Sequence, residues 1–153
     1  MLIAVISDTH DRLPPGLPAL LGRADEIWHL GDVCDPGILF ALAQSGKPLH
    51  VVRGNCDESF HKWPLTLRRE IHGVRCQLVH DPLDFARAPR DSCDIILHGH
   101  WHIIRDETLD GIRWLSPGSV SFPRGGTPPC FGWLSFARGK PAHWRIERLA
   151  EPR

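Results

Sequence analysis

Apolar residues in this chain come in short runs, and several of those runs stop at the same kind of polar cluster. Residues 2–6 (LIAVI) are continuously apolar, the pattern of a strand buried on both faces. The run ends in Ser7-Asp8-Thr9-His10-Asp11. Pro14, Pro15 and Pro18 then open a short helix carrying Leu17, Leu20 and Leu21. Residues 26–30 read as a second strand that stops at Gly31-Asp32, with His29 inside it read as packing. Residues 36–43 read as a helix, with Asp35 as N-cap and Pro36 in the first position. Gly46 closes that helix, and residues 48–52 form a third strand ending in Arg53-Gly54-Asn55-Cys56-Asp57. Ligands of open α/β sheets gather beyond the carboxyl ends of such strands, so these successive endings point to one site along one edge.

From Leu65 the pattern changes. Residues 65–71 and 74–79 read as strands joined at His72-Gly73, the second ending in His80-Asp81-Pro82. A short helix is predicted over 83–88, then a buried strand over 94–97 running into His98-Gly99-His100-Trp101-His102. Residues 103–109 and 112–115 flank Asp110-Gly111, a hairpin turn signal, and Ser116-Pro117-Gly118-Ser119 reads as loop. Residues 131–136 and 143–149 close the chain as an antiparallel pair, so that after the first third the strands are read as mostly antiparallel. The expected fold class is α/β: a four-layer αββα sandwich of two mixed β-sheets flanked by helices. It is expected to occupy residues 1–149 as a single domain, with 150–153 as a tail.

Composition narrows the function. Hydrophobic residues make up 42% and charged residues 24%, the balance of an ordinary globular protein. Lys+Arg 18 equals Asp+Glu 18, so no bulk field draws the chain to nucleic acid or an anionic membrane. Five widely spaced cysteines (34, 56, 76, 93, 130) without a CxxC pair argue against a disulfide framework or a zinc ribbon. No apolar run approaches the ~20 residues that span a bilayer, and the first residues lack a basic region and cleavage site. A reducing, cytoplasmic setting is the expectation.

Seven residues stand at predicted strand ends: Asp8, His10, Asp32, Asn55, His80, His100 and His102. Oxygen and imidazole donors without thiolate suit Mn²⁺, Fe or Zn²⁺. Seven are too many for one ion with open positions but suit two ions that share a carboxylate. Two carboxylates leave such a pair with net positive charge, which attracts an anion and a hydroxide. A metal pair ~3.5–4 Å apart clamps an in-line displacement at phosphorus, so the donor set points to phosphoester hydrolysis.

In order and spacing, Asp8-Thr9-His10, Gly31-Asp32, Gly54-Asn55-Cys56-Asp57, His80 and Gly99-His100-Trp101-His102 resemble the calcineurin-like metallophosphoesterase signature. The likeness is nearest to the small single-domain phosphodiesterases of bacteria and archaea, and spans about residues 2–136. Residues 116–124 resemble the NPGS loop of that subfamily, with Ser116 in the Asn place. The resemblance implies that Asp8, His10 and His102 hold one metal, Asn55, His80 and His100 the other, and that Asp32 bridges. It further implies attack on phosphorus by a metal-bridging hydroxide, with manganese as the expected ion and nickel, iron or zinc as alternatives.

Departures from the pattern matter as well. Asp81 follows His80 where the family usually has glycine, which alters the rim of the site. Cys56 occupies the place where larger superfamily phosphatases carry a general-acid histidine; a thiol of pKa ~8.5 is a poor substitute. Asp57 is then a candidate acid or proton relay, or a residue that orients a ligand. His98 is read as a hydrogen-bonding partner or bystander. Arg12, Arg53 and Arg124 stand beside the motifs as phosphate contacts or as salt-bridge partners. Phe60 and Trp63 are read as pocket wall, subunit contact or, for Trp63, core.

The expected function is a binuclear metal-dependent phosphodiesterase acting on small or nucleotide-like esters. The alternative from another class is a non-catalytic scaffold that binds partner proteins, as the retromer's phosphoesterase-like subunit does; retention of all seven ligand side chains favours the enzyme. A nuclease reading lacks a basic surface. Self-association is left open.

Overall fold

The computed structural model describes residues 1–85 and 93–149. Two five-stranded sheets face each other. The first carries β1 (Leu2–Ile6), β2 (Glu26–His29), β3 (Leu49–Val51), β9 (Cys130–Ser135) and β10 (His143–Arg148), in the order β10-β9-β1-β2-β3. The second carries β4 (Thr66–Ile71), β5 (Val74–Val79), β6 (Ile95–Leu97), β7 (Ile104–Leu109) and β8 (Ile112–Pro117), in the order β4-β5-β6-β8-β7. Strands β1, β2 and β3 are parallel, as are β5, β6 and β8. The remaining pairings are antiparallel. Both sheets are therefore mixed, as in the sandwich expected.

Alternation along the strands explains the layers. Ile3, Val5, Trp28 and Leu30 meet Leu78, Ile95, Leu97 and Leu115 between the sheets. Their neighbours Ala4, Ile6 and Ile27 point the other way, against Leu17 and Leu21 of α1 (Leu17–Leu21) and Ile38 and Leu42 of α2 (Pro36–Ala43). Asp35 caps α2 by accepting from the Gly37 amide at 2.8 Å, with Pro36 in the first turn, as its sequence predicts. On the outer face of the second sheet, Val79 and Ile96 pack with Phe85 of α3 (Pro82–Phe85). That outer layer is thus a single turn among the described residues. No described helix is long and apolar enough to cross a membrane.

Three readings need correction. Ser116 and Pro117 belong to β8 rather than to a loop, paired with Arg105 and Ile104. Proline is tolerated there because β6 has already ended at Leu97, opposite Leu115, so no ladder bond is lost on that side. The second sheet is less antiparallel than expected, because β6 inserts between β5 and β8, parallel to both. The helix expected over 83–88 begins at Pro82 and is described to Phe85; residues 86–88, like the 150–153 tail, lie outside the described residues.

Candidate metal centre

Parallel strands place their carboxyl ends together, and the chain uses that edge. Asp8 and His10 follow β1, Asp32 follows β2, Asn55 follows β3, His80 follows β5, and His100 and His102 follow β6. The backbone turns sharply at these points. Asp8, His10, Asp32, His100 and His102 all have positive φ, between 42° and 67°. Aspartate and histidine adopt that region more readily than most residues, but the strain it carries is typical of functional sites. Glycine is needed where the strand ends crowd. A Cβ at Gly54 would overlap the Asp32 carboxylate, and one at Gly99 would overlap Ser7 Oγ and Asp8 Oδ2.

All seven expected ligands converge. Donor atoms of Asp8, His10, Asp32 and His102 lie within 4.8 Å of one another, as do those of Asp32, His80 and His100. Asp32 belongs to both groups: its Oδ2 is 3.5 Å from His10 Nε2 and 3.3 Å from His80 Nε2. Asn55 Oδ1 joins the second group, 3.0 Å from His80 Nε2 and 2.9 Å from His100 Nδ1. In the first, His10 Nε2 faces His102 Nε2 at 3.2 Å, and Asp8 Oδ1 lies 3.2 Å from the latter nitrogen.

Cations fit this arrangement. Asp8 is fully buried, and its Oδ1 has no hydrogen-bond partner among the described residues, although Oδ2 accepts from Ser7 Oγ and the His100 amide. A buried carboxylate oxygen aimed at two imidazoles and lacking a donor is what a divalent ion would satisfy. The donors are nitrogen and oxygen only, which suits hard-to-borderline divalent ions.

Outer partners fix two of the candidate ligand rings. His80 Nδ1 donates to the Leu30 carbonyl at 2.7 Å and His102 Nδ1 to the Phe122 carbonyl at 2.6 Å, leaving each Nε2 to face the cluster. Ser119 Oγ donates to the Asp8 carbonyl and accepts from the amides of Ser121 and Phe122, so the loop after β8 buttresses both Asp8 and His102. These carbonyl partners carry no sequence signal, since any residue supplies one. Nor does the sequence point to Cys34: its Sγ lies 3.7 Å from His10 Nδ1, and with His10 and Cys56 it forms a third group of donors.

Asp57 faces backbone amides of two strand-end turns. It is fully buried, and its carboxylate accepts from the amides of Asp32, Val33, Cys34 and Gly54 at 2.8–2.9 Å. Of its two expected roles this geometry serves the orienting one. His98 lies outside both donor groups, between the Gly99 carbonyl at 3.0 Å and Arg105 at 3.3 Å. Arg12 lies over the Phe122 ring, while Trp63 stacks on Phe60 and packs against the core under the helices. Arg124 lines a cavity of about 260 Å³ beside His10 and His102; Arg53 lines one of about 570 Å³ beside Asn55 and His80.

The charge states follow from the same contacts. Burial pushes the Asp32 carboxyl up, but the His80 ring and the Cys56 amide outweigh it and hold the group below the usual carboxylate range. For His80 burial works against protonation, yet Asp32 and Asp8 raise its pKa above the ordinary value; Asp8 does the same for His102. His29 and His98 behave oppositely, since burial pushes both down to about 4. Their unfolded value is ~6.5, so between about pH 4 and 6.5 the unfolded chain binds more protons and stability falls with acidification. Each contributes on the order of a few kcal/mol by this linkage. Denaturant melts from pH 7 to 4.5 are therefore expected to show a steep loss of stability, flattened by His98→Gln; an equal slope in that variant would refute the assignment.

The fold and the donor set together make a candidate metal centre at the strand ends of a two-sheet sandwich. A family model of the calcineurin-like phosphoesterase superfamily domain matches residues 1–139, and the chain belongs to that metal-dependent family. The phosphodiesterase YfcE of Escherichia coli K12 is 29% identical over 160 aligned residues, covering 88% of this chain and 87% of its own. The probable metallophosphoesterase YsnB of Bacillus subtilis is 28% identical over 135 residues, covering 81% and 78%. The YfcE structure from E. coli superposes with a TM-score of 0.73 at 25% identity over 88% of each chain. Vps29 of Chaetomium thermophilum shares the fold as well, at a TM-score of 0.78 and 19% identity, over 99% of this chain and 97% of its own.

Proposed function

We propose that this chain is a binuclear phosphodiesterase acting on small or nucleotide-like phosphate esters. One observation carries the reading: Asp32, itself buried, belongs at once to two groups of nitrogen and oxygen donors. Asp8, His10 and His102 would hold one ion and Asn55, His80 and His100 the other, with Asp32 shared. Divalent ions held there, manganese before nickel, iron or zinc, would supply Lewis-acid activation of water and would neutralise charge on the phosphoryl oxygens. Arg53 and Arg124 stand in cavities on either side of the donors, where each can meet a phosphoryl oxygen or an ester arm. A cavity on both flanks suits a phosphorus with two arms, which favours diesters over monoesters. Five free thiols fit a reducing cytoplasm.

The test is reconstitution. Chelated protein is loaded in turn with Mn²⁺, Ni²⁺, Zn²⁺ and Mg²⁺, then assayed on bis-p-nitrophenyl phosphate and on p-nitrophenyl phosphate. Diester turnover with manganese is the expected result. Vps29 shares the fold, so architecture alone does not separate an enzyme from a scaffold. A chain that takes up no ion and turns over neither ester would favour the scaffold.

Cys56, in the place where larger superfamily phosphatases carry a general-acid histidine, is a weak acid. Burial, then the Asp32 carboxylate, push the Cys56 thiol up to about 11. A general acid contributes at least about 100-fold, so Cys56→Ser is expected to change kcat by less than about threefold. Turnover across aryl diesters is expected to fall steeply as leaving-group pKa rises. A flat series, or a Cys56→Ser loss of two orders of magnitude, would sink this.

A further inference from the structure

We infer that Asp81 is a positioning residue for His100, placing a carboxylate behind a histidine of the second donor group; the inference rests on the two-metal reading above. His100 faces the donor group with Nδ1, which is 2.9 Å from Asn55 Oδ1. Its other ring nitrogen, Nε2, faces Asp81 Oδ2 at 3.9 Å. That is about 1 Å beyond hydrogen-bond length, a gap that a small rotation of either side chain closes.

The Asp81 carboxylate is not a loose surface group. Its Oδ1 accepts from the Leu83 amide at 2.9 Å, where it starts α3, and its side chain is only 27% exposed. One oxygen is thereby anchored while the other is presented to His100. The other histidines of the centre show what such a partner does. His80 and His102 each engage a backbone carbonyl through Nδ1, which sets the tautomer and aims Nε2 inwards. His100 is reversed, aiming Nδ1 inwards, and the group available to its outer nitrogen is a carboxylate. An ionised partner makes the ring a stronger donor to a metal than a carbonyl does.

Position in the chain favours the same role. Asp81 directly follows His80, so one segment supplies a ligand of the second site and the orienting group of another. Ring contact between His80 and His100, with centroids 5.1 Å apart, ties the two rings together. The competing explanation is that Asp81 merely caps α3. Asparagine separates the two roles, because it keeps a capping oxygen but turns an NH₂ towards His100 Nε2.

Binding of Mn²⁺ is measured by calorimetry on chelated wild-type, Asp81→Asn and Glu58→Gln proteins. Glu58 lines the same cavity and controls for lost charge alone. Wild type is expected to take two ions per chain. Asp81→Asn is expected to bind one ion as wild type does and the other about 10–100-fold more weakly, with its melting temperature unchanged. Asp81→Glu is expected to recover part of the loss. Wild-type affinities in Asp81→Asn, or an equal loss in Glu58→Gln, overturn the inference and leave the two-metal reading intact. A wild type that binds no ion overturns both.

Discussion

Asp32→Asn is expected to lower kcat/KM on a chromogenic diester by about a thousandfold or more. The change keeps the size of the side chain and an acceptor for the Cys56 amide, which Asp32 Oδ1 now receives at 2.8 Å. What it removes is the charge shared by both donor groups. Divalent ions contribute several kcal/mol of transition-state stabilisation, and each 1.36 kcal/mol is tenfold in rate. On the two-metal reading proposed above, losing or misplacing one ion would therefore remove most of the acceleration. The variant should remain folded by circular dichroism while metal analysis shows it binding fewer than two ions per chain. Turnover equal to wild type in a metal-loaded Asp32→Asn protein would remove the basis for the proposed chemistry.

The second large effect falls on stability. Asp57→Ala strips the acceptor from the amides of Asp32, Val33, Cys34 and Gly54. A buried donor left unsatisfied costs about 1–3 kcal/mol. Four of them, partly relieved by entering water, give an expected loss of about 4 kcal/mol or more, against a total of roughly 5–15 for a domain. Asp57→Asn keeps one oxygen and should lose roughly half as much. Urea denaturation at constant m-value measures both. A loss under about 1 kcal/mol in the alanine variant would contradict the bracing role given to this carboxylate. The same bracing holds the Gly31–Cys34 and Gly54–Asp57 turns together, so metal affinity should fall with stability.

These two aspartates also illustrate what could be read before the fold. Asp32 closes an apolar strand run and is followed by a turn, so its place at a strand end was legible. Asp57 lies two residues past Asn55 in the same kind of segment, and composition cannot say whether it faces the donors or the backbone. Its role became visible only once Gly54 and the Asp32–Cys34 amides surrounded it. Cys34 tells the same story from the other side. It sits in a turn with no spacing that links it to His10 or Cys56, yet the fold brings all three together.

Local chemistry was enough to identify the strand runs, the Asp35 cap of α2, the hairpin at Asp110-Gly111 and the seven candidate ligands. Each of these depends on neighbours within a few residues: the period of side-chain burial, a capping oxygen, a turn that needs positive φ. Tertiary structure alone decided that β6 runs parallel between β5 and β8, and that Ser116-Pro117 prolongs a strand. It also decided which carbonyls orient the candidate ligand histidines. Strand order and backbone partners are set by contacts between residues far apart in the chain, and a carbonyl oxygen is the same whichever residue bears it.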